Sequence, residues 1–95
     1  MPENRADVPT ASASRYLQQL CKHWSHKFTV EFTPTHGRID LPSGPCILDA
    51  DADKLHVVIS SDDPDKLPRF REVVEEHIKR FAFRETLEFE WREIV

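Results

Sequence analysis

The stretch SASRYLQQLCKHWSHK, Ser12 to Lys27, decides the fold. Leu17, Leu20, Cys21 and Trp24 recur at i, i+3, i+4 and i+7, which places them on one stripe of an α-helix, while Gln18, Lys22 and Ser25 fall on the other side. A helix with one apolar stripe needs a surface to cover, and the rest of the chain must supply a sheet. Thr10, Ser12 and Ser14 are all able to cap the helix, because a hydroxyl accepts one of the orphan N–H groups there; Ser12 is the best placed. No glycine closes the far end, and the change of period puts it near Ser25 or His26.

Outward from this helix the period becomes two. Phe28, Val30 and Phe32 alternate with Thr29, Glu31 and Thr33, a strand with one apolar face. Pro34 to Gly37 turns the chain, with Gly37 expected to supply a positive φ, and Arg38 to Leu41 returns with Ile39 and Leu41 inward. Pro42 to Pro45 is a second turn, Cys46 to Ala50 a third strand and Lys54 to Ser60 a fourth; such short connections predict an antiparallel meander. Before the helix, residues 1–5 read as a loose tail and Arg5 to Thr10 as a short strand. Pro9 lacks an N–H, so that strand belongs on an edge.

Asp62, Asp63 and Pro64 mark a second helix start, and Pro68 delays the regular helix until about Leu67. Its stripe is Leu67, Phe70, Val74, Ile78 and Phe81, with Glu75–Lys79 and Glu76–Arg80 as i, i+4 pairs on the wet side. A final strand follows, with Leu87, Phe89 and Trp91 inward. The order strand, helix, four strands, helix, strand predicts a single α+β domain over residues 1–95: a two-layer sandwich, mostly antiparallel, with both helices on one face. Thr29, Glu31, Arg38, Asp40, His56, Glu88 and Glu90 are expected on the open face.

Composition excludes several function classes. Seventeen acids against thirteen Lys and Arg give a net charge of −4, which opposes generic binding to nucleic acid or anionic lipid. No apolar run approaches a membrane span and MPENRADVPT lacks an apolar signal core, so a cytoplasmic protein is expected. Two cysteines, Cys21 and Cys46, make no disulfide framework and are expected to be free and buried.

RYLQQLCKHWSHK, the turn HGRI and HIKRFAFRETLEFEW together resemble the signatures of the small bacterial domain-of-unknown-function family 2218, over nearly the whole chain. The resemblance implies a stand-alone cytoplasmic protein, or a domain appended to siderophore-interacting flavin reductases, with iron handling as context. Some members carry a sugar-acid aldolase label. That class is built on a barrel of roughly 250 residues, far longer than this chain.

Few residues offer chemistry. His23 and His26 have a spacing that suits a metal only if other ligands arrive, and Cys21 points about 160° away from His23 on a helix. Asp49, Asp51 and Asp53 imitate a calcium loop, but Lys54 stands where glycine is needed and Ser60 where a bidentate Glu belongs. No catalytic residue, metal ligand or cofactor is assigned. The candidate site is a basic and aromatic cluster: Arg15, Tyr16, His23, His26 and Lys27 on the first helix with Arg80 and Arg84 near the end of the second, suited to a small anionic ligand if the helix ends meet. Three function classes stay open. They are a non-enzymatic binding or accessory module, whose partner would be a siderophore-interacting flavin reductase or a small anion; a small enzyme using His23 or His26 as acid, base or metal ligand; and a homodimeric interaction domain pairing through an edge strand or through the outer sheet face around Ile47 and Val58. Monomer and homodimer are both compatible with the sequence.

Overall fold

Short turns make neighbours in sequence into neighbours in space, and four consecutive strands pair in order: β2 (Thr29–Phe32), β3 (His36–Leu41), β4 (Gly44–Ala50) and β5 (Lys54–Ser60). The computed structural model describes residues 2–94. β1 (Glu3–Pro9) adds antiparallel to β5, and β6 (Arg92–Ile94) adds to β1, giving the sheet order β2-β3-β4-β5-β1-β6. Helix α1 (Ala13–Trp24) connects β1, fifth in that order, to β2 at the sheet's edge, so it must cross the sheet and touches β2 to β5 on the way. Helix α2 (Leu67–Phe81) packs on β5, β1 and α1. One core joins all these layers: Leu17, Leu20 and Cys21 from α1, Ile39, Leu48 and Val57 from the sheet, Val74 and Ile78 from α2. This is the expected two-layer α+β sandwich with both helices on one face.

Local chemistry explains the helix ends. The Ser12 carbonyl accepts from Tyr16 N at 3.1 Å, but its hydroxyl caps nothing; instead Thr10 Oγ1 accepts from Ser12 N at 3.1 Å. At α2 a 3-10 turn, Pro64–Lys66, comes first, with Asp63 Oδ1 accepting from Asp65 N at 3.0 Å. Pro68 sits in the first turn, where a missing N–H is no loss.

Five expectations need correction. Glu3–Arg5 are not a tail: they pair with β5 on one side and β6 on the other, because the inward alternation Asn4, Ala6, Val8 begins already at Asn4. Met1 lies outside the described residues. β6 runs alongside β1 only to Arg5, so the edge position foreseen for β1 holds only from Ala6 to Pro9. The last strand is Arg92–Ile94 rather than Leu87–Trp91. Leu87 is buried, and Phe89 and Trp91 pack half-buried on the core with rings 5.9 Å apart, but Trp91 Nε1 donates to Glu75 Oε1 at 3.0 Å and fastens the segment to α2. Glu88 and Glu90 are therefore not on the sheet. On α2 itself the Glu75–Lys79 pair forms at 2.9 Å, while Glu76 and Arg80 make no ion pair among the described residues, as expected for exposed partners that gain little from pairing.

Gly37 is the fifth correction. It lies inside β3 without a positive φ, and the β2–β3 turn is closed instead by the Thr33 hydroxyl, which accepts from Thr35 N at 3.3 Å and His36 N at 3.1 Å. What Gly37 provides is room: a Cβ there would stand 2.8 Å from Cys21 Sγ and 3.3 Å from Leu17 Cδ2. The positive φ belongs to Gly44, at +146°, where a Cβ would meet the Ser60 carbonyl. Gly37→Ala is expected to destabilise the fold by about 1–3 kcal/mol through overpacking. Cys21→Ala in the same chain should recover part of that loss, so urea unfolding of the two single variants and the double variant should be non-additive.

Candidate functional site

The helices bring their surfaces together in opposite senses. Trp24, at the end of α1, lies beside His77, one turn before the end of α2, with ring centroids 4.8 Å apart, whereas Tyr16, one turn into α1, donates its hydroxyl to Glu85 Oε2 beyond the end of α2. Where α1 ends against α2, the Pro42–Ser43 turn closes a third side and leaves a cleft of about 550 Å³. Its floor is apolar, made by Trp24 and Phe70, both buried, with Phe28 and Val73 as walls. Its rim is cationic: exposed His23, His26 and Lys27 on one side, Arg69 on the other. Among the described residues no carboxylate lines it, although acids outnumber Lys and Arg in the chain. Arg69 is partly offset by Glu72, whose Oε2 accepts from its Nη1 at 3.0 Å.

His77 adds a polar point to the apolar wall. Its Nδ1 lies 2.6 Å from the Val73 carbonyl, which can only accept, so Nδ1 carries the proton and Nε2 faces outward from that bond. His23 lies beside it, with ring centroids 5.5 Å apart. Among the described residues no group of three or more His, Cys, Asp or Glu side chains is arranged to hold a metal ion.

Of the seven residues expected to form a ligand site, His23, His26 and Lys27 meet in this cleft. The other four lie elsewhere. Tyr16 is buried, and Glu85, which also accepts from Thr10 Oγ1 at 3.1 Å, uses it to strap the segment after α2 to the start of α1. Burial first, then this bond, raises the Tyr16 pKa. Arg15 lies along a shallow stretch of α1 with Ser14, Gln18 and Lys22. Arg84 sits 5.4 Å over the exposed Phe83 ring, and Arg80 is exposed. The helix ends do meet, with the His23 ring centroid 6.0 Å from that of Phe81, the last residue of α2, but Arg80 is exposed and outside the cleft lining, and Arg84 lies past the helix against Phe83. The sequence reading missed Arg69, Phe28 and the Pro42–Ser43 turn. His77 was expected as a half-buried, hydrogen-bonded histidine, which it is; its 70, 73, 77 spacing was the available signal that it shares a face with Phe70 and Val73.

A second titratable cluster lies on the open sheet face, where the register aligns Asp7, His56, Asp49 and His36 across four strands. His56 is held at both ring nitrogens, Nδ1 by Asp7 Oδ1 at 2.5 Å and Nε2 by Asp51 Oδ2 at 2.8 Å. Asp7 also receives Arg92 of β6 at 2.6 Å and Arg5 at 3.2 Å. The hydrogen bonds from Asp7 and Asp51 raise the His56 pKa. The bond from His56 lowers that of Asp7, and it lowers that of Asp51 to about 2, helped by the Asp53 and Lys54 amides. Because His56 is raised, its stabilisation is complete below the ordinary imidazole value of 6.5 and fades as pH rises through the folded value. The two aspartates act in the reverse sense, stabilising above 3.8 and losing that effect as pH falls through their lowered values. Urea midpoints should thus be highest between about pH 4 and 6.5 and decline toward pH 8.5, and His56→Gln should flatten the alkaline decline.

Comparison with known proteins covers the whole of this architecture. A family model described as an uncharacterized protein conserved in bacteria (DUF2218) matches residues 5–92. Among solved structures, the NMR structure of PA4090 from Pseudomonas aeruginosa is 42% identical in sequence, with a TM-score of 0.81, and the match covers 97% of this chain and 96% of that one. No curated protein matches the chain.

Proposed function

The chain belongs to the DUF2218 family of bacterial proteins, and we propose that it is a non-enzymatic binding module which takes a small organic anion in the cleft between α1 and α2. One observation carries this reading: an acidic chain gathers three cationic or imidazole side chains from the α1 end and two from α2 around an apolar floor, with no carboxylate of the described residues in the lining. A site with an apolar interior and a few convergent polar groups is the common form of a small-molecule pocket. Lys27 and Arg69 would receive the charge, since ammonium and guanidinium groups form charge-assisted bonds to carboxylates. The apolar body of the ligand would lie on Trp24, Phe70 and Phe28.

The test is a titration of isotope-labelled protein with 2-naphthoate, read by amide shifts. Perturbations should centre on Lys27, Phe28, Ser43, Arg69 and His77 and saturate. Lys27→Glu with Arg69→Glu reverses the rim charge and should weaken binding by at least about tenfold while the spectrum stays folded, the loss expected when charged partners of 1.5–3 kcal/mol are removed. Absence of saturable shifts at millimolar ligand, or an unaffected charge-reversed variant, would refute the proposal.

A further inference from the structure

Resting on that reading of the cleft, we infer that its ligand carries, besides its charge, a hydroxyl group received between Trp24 and His77. The two tryptophans of the chain are treated differently. Trp91 Nε1 donates to Glu75 Oε1, but Trp24, only 5% exposed, donates to no acceptor among the described residues. The buried side-chain polar atom without a partner among those residues is Gln19 Oε1 alone, so the Trp24 N–H is not sealed in; the opening that Trp24 lines is the cleft. An indole N–H can only donate, and a nearly buried donor wants an acceptor.

His77 offers the complement. The bond from Nδ1 to Val73 fixes the neutral ring's proton on Nδ1, leaving Nε2 as an acceptor, and no second bond to this ring is made among the described residues. The two rings lie 4.8 Å apart at 44° and line the same cleft. Neighbouring rings of one cleft thus carry an unpartnered donor and an unpartnered acceptor among the described residues, and Lys27 and Arg69 line the same cleft. A carboxylate or carbonyl satisfies the indole but not Nε2, and a hydrocarbon satisfies neither. A hydroxyl accepts from Trp24 and donates to His77 with one oxygen. The ligand class is therefore a hydroxylated organic anion, of which a hydroxyaryl carboxylate is the simplest probe.

Three probes separate the terms: 2-naphthoate, 6-hydroxy-2-naphthoate and 6-methoxy-2-naphthoate, the last able to accept but not to donate. The wild-type protein should bind the hydroxy compound about tenfold more tightly than the other two, the size of one or two neutral hydrogen bonds. His77→Phe should erase most of that preference, read as the ratio of the hydroxy to the unsubstituted affinity within the same variant. Trp24→Phe should do the same if it folds, and His77→Phe decides the matter if it does not. Equal affinities for the hydroxy and unsubstituted compounds would overturn the inference and leave the anion cleft standing. A methoxy compound bound as tightly as the hydroxy one would overturn donation to His77. Failure of all three to bind would bring down the cleft reading together with this inference.

Discussion

Leu17 and Cys21 of α1 rest on the bare backbone of Gly37, and the height of the helix above the sheet follows from that contact. With no Cβ at Gly37, the second residue of β3, α1 settles low enough for Leu17, Leu20 and Cys21 to be fully buried, each large apolar side chain contributing roughly 1.5–3 kcal/mol. The placement of everything else descends from this seat. Trp24, one stripe position beyond Cys21, comes down beside His77; Tyr16, one turn before Leu20, reaches Glu85; and the gap between α1, α2 and the Pro42–Ser43 turn becomes the cleft.

The two faces of the sheet handle charge in opposite ways. On the open face, acids and bases are matched at contact distance: His56 between Asp7 and Asp51, His36 with Asp49, Arg38 with Asp40. These groups satisfy one another and ask nothing of a ligand. On the helical side the cleft rim collects His23, His26, Lys27 and Arg69, and among the described residues the carboxylate paired with one of them is that of Glu72, on Arg69. Unmatched charge beside apolar floor is the asymmetry that singles out the cleft.

How much the sequence reveals depends on how local each signal is. The α1 stripe is readable because a 3.6-residue period needs only an apolar partner of any kind, and the order β2 to β5 is readable because turns of a few residues leave no other choice. The pairing of β1 with β5 is not readable, since α1 intervenes and either sheet edge would accept the strand. Leu87, Phe89 and Trp91 alternate as a half-buried strand would, yet the alternation reports only which side chains turn inward; the bond from Trp91 to Glu75 decides what they lie against. Gly37 looks like a turn residue because its use, making space for Cys21, is visible only when the helix is in place. His23, His26 and Lys27 could be grouped because they are contiguous. Arg69, His77 and Ser43 join them only through the crossing of the helices, and that crossing removes Arg80 and Arg84.

The same close seating shapes the chemistry of the two free thiols, both of them fully buried. Burial pushes Cys21 up to about 11, and it raises Cys46 further. At neutral pH neither sulfur is a nucleophile while the layers are joined, because the reactive species is the thiolate. Alkylation would then register how often α1 lifts from the sheet, so the chain carries its own clock for the separation of its two layers.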